Sequence, residues 1–170
     1  MSSDSDDAAV LAAHSISKKV SSPEGSLTIL SDVSFSIGAG ESVAVVGPSG
    51  SGKSTMLHVM GTLDRPSAGD VELVGRRVSE LTDADLSGLR AHHIGFVFQQ
   101  FHLLTGYSAL DNVADGMLYT GMPLTERRRL ASVALEKGGL GHRDGHMATK
   151  LSGGERQRLA IARALIGDPR

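Results

Sequence analysis

The sequence predicts an α/β fold interrupted by a mostly helical insert, and three observations lead to it. The short apolar run SVAVVG at residues 42–47 is typical of a buried parallel strand, and a helical pattern follows it from Lys53 to about Gly61. Residues 100–150 repeat apolar side chains at helical spacing. A final helix is predicted from about Gly154 to Leu165. We therefore expect an α/β core over 11–99 and 151–170, a helical subdomain over 100–150 and a disordered tail over 1–10.

The elements before the apolar run are predicted from alternation and turn residues. Residues 10–20 predict a first strand, and SSPEGS at 21–26 is a turn because of its proline, glycine and serine content. Val33, Phe35 and Ile37 alternate with serines, which is the pattern of a half-buried second strand. GAGE at 38–41 then turns the chain into the buried strand.

Turn residues also separate the elements after the first helix. LDRPSAGD at 63–70 precedes a short strand around 71–74, a helix over about 83–90 and a second apolar strand, IGFVF, over 94–98. Within the insert, two helical faces are predicted from apolar spacing. The first consists of Leu110, Val113 and Met117, and the second of Leu130, Val133 and Ala134.

Composition limits the class of protein. The chain has 170 residues, of which 40% are hydrophobic and 21% charged, as in a soluble globular domain. A net charge of −2 gives no reason to expect a nucleic-acid partner. No apolar run approaches the roughly 20 residues that span a bilayer, and MSSDSDD lacks the basic start of a signal peptide. We therefore expect a cytoplasmic protein, and the lack of cysteine excludes disulfides and thiolate metal sites.

The segment GPSGSGKST matches the phosphate-loop pattern G-x-x-x-x-G-K-[ST] between a predicted strand and a predicted helix. Glycines let backbone N–H groups surround a triphosphate, Lys53 supplies charge for the β and γ phosphates, and the Ser54 hydroxyl can bind Mg²⁺. The alternative is a plain glycine-rich turn. The pattern predicts binding of a nucleoside triphosphate and Mg²⁺ by Gly47, Pro48, Ser49, Gly50, Ser51, Gly52, Lys53, Ser54 and Thr55.

A second glycine pair stands at the start of the last helix, in LSGGERQR. Ser152 and Glu155 have the spacing of a capping box, in which each side chain accepts from the backbone N–H of the other residue. Gly153 and Gly154 leave N–H groups uncovered at the positive end of the helix dipole, where an anion can bind. An ordinary glycine turn before an amphipathic helix is the alternative.

These motifs together resemble the ATP-binding cassette (ABC) family. The phosphate loop is followed by an apolar strand ending in Gln99, a helical insert and LSGGERQR, and the resemblance extends from about Leu11 to Arg170. GTLDRPSAGDV, IGFVFQQFHLL and DNV are similar to the branch that includes macrolide exporters and lipoprotein-releasing ATPases. The resemblance implies an ATP-binding subunit that couples ATP binding and hydrolysis to a membrane permease, on the inner face of the cell membrane.

The resemblance also implies how the residues act. In the family two subunits enclose two ATP molecules, and Ser152, Gly153, Gly154 and Glu155 would serve the nucleotide held by the partner's phosphate loop. Lys53 and Gln99 would be catalytic, with Gln99 touching Mg²⁺ and hinging the insert. Phe101, Leu103 and Leu104 would lie near a permease contact, although core packing explains them equally well.

Two departures from the family pattern change what we expect. In this branch an aromatic residue stacks on adenine, and lining up SKKVSSPEGSLTIL with the family pattern puts Val20 at that position. No Phe, Tyr or Trp precedes Phe35, so the aromatic contact with adenine is expected to be missing. The family's next strand carries an Asp that holds Mg²⁺ and a Glu that polarises water, and a switch histidine comes later; all would follow Arg170. We therefore expect this part of the core to be missing from the 170 residues, the edge of SVAVV to be exposed and hydrolysis to be absent.

Other features are read as structural. His142 and His146 are flanked by glycines, which disfavours a helical metal site, and the basic run 127–129 is read as a solvated helix face, with lipid or partner contact as the alternative. No chemistry is assigned to His92 and His93. Beside the transporter subunit, a soluble cassette protein of the translation or DNA-repair kind and a non-hydrolysing nucleotide-binding fragment remain open.

Overall fold

The computed structural model describes residues 9–23 and 25–169, so most of the predicted tail lies outside the described residues. The chain divides into two compact units, Met1–Leu86 and Ser87–Arg170. The strands are β1 (Leu11–Ser22), β2 (Gly25–Ile37), β3 (Ala68–Leu73) and β4 (Arg76–Arg77). The α-helices are α1 (Lys53–Met60), α2 (Asp83–His93), α3 (Ala109–Ala114), α4 (Leu124–Lys137) and α5 (Gly153–Leu165), and short 3₁₀ turns join several of them.

An antiparallel sheet organises the first unit. Its order is β2-β1-β3-β4, so the predicted first strand lies between its hairpin partner and β3. Ala13 of β1 is paired with Phe35 on one side and Val71 on the other. The buried side chains of the sheet pack against Val59 and Met60 of α1 and Leu86 of α2. This packing holds the end of α1 against the sheet. The turn predicted over 21–26 is shorter than expected, because Ser21 and Ser22 pair with Ser26 and Gly25 as strand residues. Glu24 lies outside the described residues.

The two apolar runs predicted as strands, 42–47 and 94–98, are not strands in this structure. Val43 and Val46 are 52% and 86% exposed. An apolar run indicates a tendency to be buried, whereas a strand also needs a hydrogen-bonded neighbour. Among the described residues, the sheet contains no strand that pairs with either segment. The prediction of buried strands was therefore wrong for both runs.

Most of the second unit is helical, and α3 and α4 lie within the residues 100–150 for which helices are predicted. The bounds of the predicted subdomain stay a prediction. The core of the unit consists mainly of side chains from α3, α4 and α5, and Val113, Leu135, Leu140 and Leu159 are fully buried. The predicted face with Val113 and Met117 is buried, but Val133 is 40% exposed. The core face of α4 is formed by Ala131 and Leu135, which are four residues apart and so lie one above the other.

Three smaller predictions can be compared with this unit. None of the helices in the described ranges is long and apolar enough to cross a membrane. The arginines of the basic run have partners inside the chain, since Arg128 pairs with Asp111 and Arg129 with Glu126, each at 2.7 Å. The segment with His142 forms a 3₁₀ turn, Gly141–Arg143.

Candidate functional site

The phosphate loop leads directly into α1, as the motif predicts. Gly52 is the residue before the helix and has a left-handed backbone with φ of 88°. A Cβ atom there would lie 3.0 Å from the Ile29 carbonyl oxygen and 3.1 Å from side-chain atoms of Ile29 and Leu30. Both the backbone conformation and the close approach of β2 therefore require glycine.

A β-bulge in the hairpin produces this close approach. Lys18 is paired with Leu30 and Lys19 with Thr28, so Ile29 is the extra residue of β2. A bulge breaks the strict alternation of side chains along a strand, which allows the consecutive Ile29 and Leu30 to reach Gly52 together. The sequence pattern does not reveal this register shift, because it depends on pairing between strands.

The start of α1 is suited to an anion. No side chain caps the helix, and its first turn contains no acidic residue. The first N–H groups of a helix have no partner within the helix, and they lie at the positive end of its dipole. Ser54 in this turn is exposed. The loop therefore presents N–H donors and a hydroxyl without an opposing carboxylate.

Lys53 is folded back onto the loop that precedes it. Its Nζ donates to the carbonyl oxygens of Gly47 at 2.9 Å and of Pro48 at 2.6 Å. An ammonium group has three donors, which leaves one N–H for a phosphate oxygen. The two carbonyl contacts hold the Lys53 ammonium against the loop. Its action on the β and γ phosphates stays a prediction.

Val20 lies in the same hairpin as the bulge. It is half-buried and is paired with Leu27 of β2, which is exposed. This pair forms a small apolar surface with no aromatic ring. Its proposed contact with adenine stays a prediction.

Gln99 occupies a tight turn in the second unit. The Phe101 N–H donates to the Phe98 carbonyl at 2.9 Å, so Gln99 and Gln100 are the two central residues of the turn, and both are exposed. The Phe98 ring stacks on the rings of Phe96 and His102, with centroid distances of 5.6 Å and 4.9 Å. Of the three residues predicted near a permease contact, Leu103 packs against the core of this unit.

Arg163 contacts the same turn, and sequence reasoning missed it. Its Nη1 donates to the His102 carbonyl at 2.8 Å and its Nη2 to the Phe101 carbonyl at 2.5 Å. Burial lowers the pKa of Arg163, and the charge of Asp115 opposes that change. Arg163 is four residues after the fully buried Leu159 and therefore lies on the core face of α5. A charged residue at such a position needs a partner inside the chain, and this pattern could have identified Arg163 from the sequence.

Asn112 is a second residue that the sequence did not reveal. It is fully buried in α3, and its Oδ1 accepts from the Leu104 N–H at 2.7 Å. Its Nδ2 donates to the carbonyls of Leu104 and Ser108 at 3.2 and 3.0 Å. One amide side chain thus holds the loop from Leu104 to Ser108.

The capping box at the start of α5 is confirmed. The Glu155 N–H donates to the Ser152 Oγ at 3.3 Å, and the Ser152 N–H donates to Glu155 Oε2 at 2.8 Å. Arg143 adds a bond from Nε to Glu155 Oε1 at 2.9 Å. The Ser152 N–H and hydroxyl, with Arg143, lower the pKa of Glu155 to about 2. Glu155 is therefore ionised and committed to the helix start.

Gly153 and Gly154 have no neighbours that exclude a side chain. A Cβ on Gly153 would meet nothing within 4 Å, and one on Gly154 would meet only the Arg158 guanidinium at 3.8 Å. Neither residue has a left-handed backbone. Within the described residues nothing therefore requires glycine at these two positions, unlike at Gly52.

Comparison with known proteins places this geometry in a family context. A family model described as "ABC transporter" matches residues 30–170. The macrolide export ATP-binding/permease protein MacB 1/2 of Paracoccus denitrificans is 47% identical over 155 residues, which are 91% of this chain and 23% of that protein. The lipoprotein-releasing system ATP-binding protein LolD of Shewanella sp. is 45% identical over 161 residues, 95% of this chain and 70% of that protein.

A solved structure gives the same result for the fold. The ATP-binding cassette MJ0796, in a dimeric post-hydrolysis state bound to ADP and Pi, has a TM-score of 0.85 at 39% identity. The match covers 94% of this chain and 70% of that chain. The predicted α/β phosphate-loop fold is thereby confirmed.

Proposed function

Because the chain belongs to the ABC transporter family, in the branch resembling MacB and LolD, we propose that it is the ATP-binding subunit of a transporter. It binds Mg-ATP at Gly47–Thr55, pairs with a second ATP-binding subunit and acts on a membrane permease at the inner face of the membrane. The chain spans 23% of MacB and 70% of LolD, the relatives it matches. The observation that carries the proposal is the phosphate loop, in which Gly52 fits against β2 and the Lys53 ammonium is held at the loop carbonyls.

The residues present fit a magnesium nucleotide. Gly52 has no room for a side chain, α1 begins without an acidic residue, and the hydroxyl of Ser54 is exposed. Hydroxyl and amide oxygens are the hard ligands that Mg²⁺ accepts, so the Ser54 hydroxyl is suited to hold it. The family resemblance extends the same proposed role to Gln99. Bound Mg²⁺ supplies charge neutralisation on the phosphates. Lys53 and the N–H groups of α1 orient the same phosphates.

The glycine pair at the start of α5, Gly153 and Gly154, supports a second subunit. Because no contact among the described residues requires glycine at 153 and 154, we infer that the constraint comes from a group outside the chain. The partner subunit's nucleotide is such a group, since it needs backbone N–H donors at close range. In this proposal Ser152, Gly153, Gly154 and Glu155 form half of a composite site, and residues 100–150 form a helical subdomain between core segments 11–99 and 151–170.

We further propose that the 170 residues bind Mg-ATP but do not hydrolyse it at the rate typical of the family. Hydrolysis needs a group that orients and polarises the attacking water. The first turn of α1 offers no carboxylate for this role. Phosphate release by purified protein, with Lys53→Ala as the contamination control, tests the proposal. Turnover above that control at a family-like rate would contradict it.

Nucleotide binding is tested with a fluorescent ATP analogue. Lys53→Ala removes the ammonium that the loop carbonyls hold, and we expect the loss of measurable affinity. Lys137→Ala, an exposed lysine of α4, is the matched control and should bind as the wild type does. Equal affinity of the wild type and Lys53→Ala would refute the assignment of the phosphate loop.

A further inference from the structure

A half-buried arginine on α5 is bonded to the loop that follows Gln99. Both terminal nitrogens of Arg163 donate to consecutive carbonyls, those of Phe101 and His102. A planar guanidinium holds two acceptors in a fixed geometry, which a lysine cannot reproduce. Hydrogen bonds from a charged donor are also roughly twice as strong as neutral ones.

The backbone that accepts these bonds is in an unfavourable conformation. Phe101 and His102 have φ of 58° and 44°, in the left-handed region that residues other than glycine rarely adopt. Such residues persist only where their surroundings enforce the conformation. Arg163 donates to the carbonyls of these two residues, so its two bonds are among the contacts that hold this conformation.

Two glycines pack closely against the helix backbone at Arg163 and Ala164. A Cβ on Gly116 would collide with the Arg163 carbonyl oxygen, and a Cβ on Gly95 would collide with the Ala164 carbonyl oxygen. Gly95 belongs to the apolar segment before Gln99, and Gly116 to the 3₁₀ turn after α3. Three segments of this unit therefore converge on one turn of α5, and Arg163 has little freedom to move relative to them.

We infer that Arg163 is a positioning residue that fixes the turn carrying Gln99. The Phe101 N–H closes the turn around Gln99, and the Phe101 carbonyl accepts from Arg163, so a shift of Phe101 moves Gln99. Ser152 caps the start of α5, and Arg163 lies in its last turn, so the same helix carries Gly153 and Gly154 at one end and contacts the loop after Gln99 near the other. The inference rests on the proposed function, in which Gln99 acts on Mg²⁺.

The first test measures the loop directly. We expect hydrogen–deuterium exchange over residues 99–104 to be about 10- to 100-fold faster in Arg163→Met, the range for losing a bond from a charged donor. Arg163→Lys, which keeps the charge but not the fork, should lie between Met and wild type. Arg158→Met removes an exposed arginine from the same helix and should leave this exchange unchanged. Unchanged exchange in Arg163→Met would overturn the inference, whether or not the chain binds nucleotide.

The second test measures the effect on Gln99. Affinity for the fluorescent ATP analogue is measured with and without Mg²⁺ in Arg163→Met, Gln99→Ala and the double variant. We expect both single variants to lose the gain in affinity that Mg²⁺ gives, the double variant to lose no more than Gln99→Ala, and Mg²⁺-free affinity to stay within about twofold of wild type.

Two results of the second test would overturn the inference. One is a full Mg²⁺ gain in Arg163→Met while Gln99→Ala has lost it, and the other is additive losses in the double variant. A Mg²⁺ gain that does not depend on Gln99 would also overturn it, because Arg163 would then have nothing to position. Failure of the wild type to bind the analogue at all would instead count against the proposed function.

Discussion

Replacement of Gly52 by alanine tests the close packing between the phosphate loop and β2. At a φ of 88° the new Cβ is strained, and it lies 3.0 Å from the Ile29 carbonyl oxygen and 3.1 Å from two side-chain carbons. Left-handed backbone costs a residue with a Cβ about 1–2 kcal/mol, partly offset by about 0.4–1 kcal/mol from the less flexible unfolded chain. Forced contacts in a packed region add about 1–3 kcal/mol. We expect a total loss of about 1–4.6 kcal/mol in the free energy of unfolding.

A matched control separates strain from contact. Gly75 lies in the same unit with φ of 71°, and a Cβ there would meet nothing within 4 Å. Gly75→Ala therefore carries the strain alone, and we expect it to lose about 1 kcal/mol. Urea unfolding followed by far-UV circular dichroism gives both values. The chain's two tyrosines, Tyr107 and Tyr119, both lie in the other unit, so tyrosine fluorescence would not report on this one.

Binding of the fluorescent ATP analogue completes the experiment. To relieve the clash between the new Cβ and Ile29, the first turn of α1 would have to move. Its N–H groups would then no longer point into the loop. We expect Gly52→Ala to weaken binding at least tenfold, and Gly75→Ala to leave it within about twofold of wild type. If Gly52→Ala is as stable as Gly75→Ala and binds equally well, the argument from the Ile29 contact is wrong.

Three further outcomes are expected. Val20→Tyr should tighten binding of ATP by at most about 1–3 kcal/mol, the range for a base stacked on an aromatic ring; titration with ATP and GTP that shows no change for either would place the base elsewhere. Gly153→Asp should leave binding by the single chain unchanged, because a side chain there meets nothing, but should prevent ATP-dependent dimers in sedimentation; dimers in the variant would contradict the composite site. The pKa of Glu155 is lowered from 4.5 to about 2, so its stabilising contribution is complete above about pH 4.5 and is lost as the pH falls towards 2. Between pH 4.5 and 2 the free energy of unfolding should therefore fall more in the wild type than in Glu155→Gln. An equal fall in both would show that Glu155 makes no pH-dependent contribution to stability.

Features with local causes could be predicted from the sequence. The capping box of Ser152 and Glu155, the helix after Lys53 and the helical insert each depend on residues within a few positions of one another. The phosphate loop was recognisable for the same reason, since its pattern spans the consecutive residues from Gly47 to Ser54. Its fold context was then confirmed by the match to the MJ0796 cassette.

Features that depend on distant contacts could not be predicted. The runs at 42–47 and 94–98 contain the residues of buried strands, but pairing is decided elsewhere in the chain. The bulge at Ile29 arises from strand register, and the bonds of Arg163 reach residues 61 and 62 positions away. Periodicity identifies which side of a helix is apolar, and it cannot identify which carbonyl a charged residue on that side will meet.

The buried Asn112 has a consequence for association. Its amide is bonded to the backbone of Leu104 and Ser108, and Ala148 donates to the Tyr107 carbonyl at 3.2 Å. The loop between them, with Tyr107 53% exposed, therefore has its conformation set when the chain folds. Ordering a flexible residue costs about 1–2 kcal/mol, so a partner that contacts this loop does not bear that cost at the moment of binding. Loosening the loop by Asn112→Ala should accordingly weaken association through its entropy, while the contact surface itself keeps the same side chains.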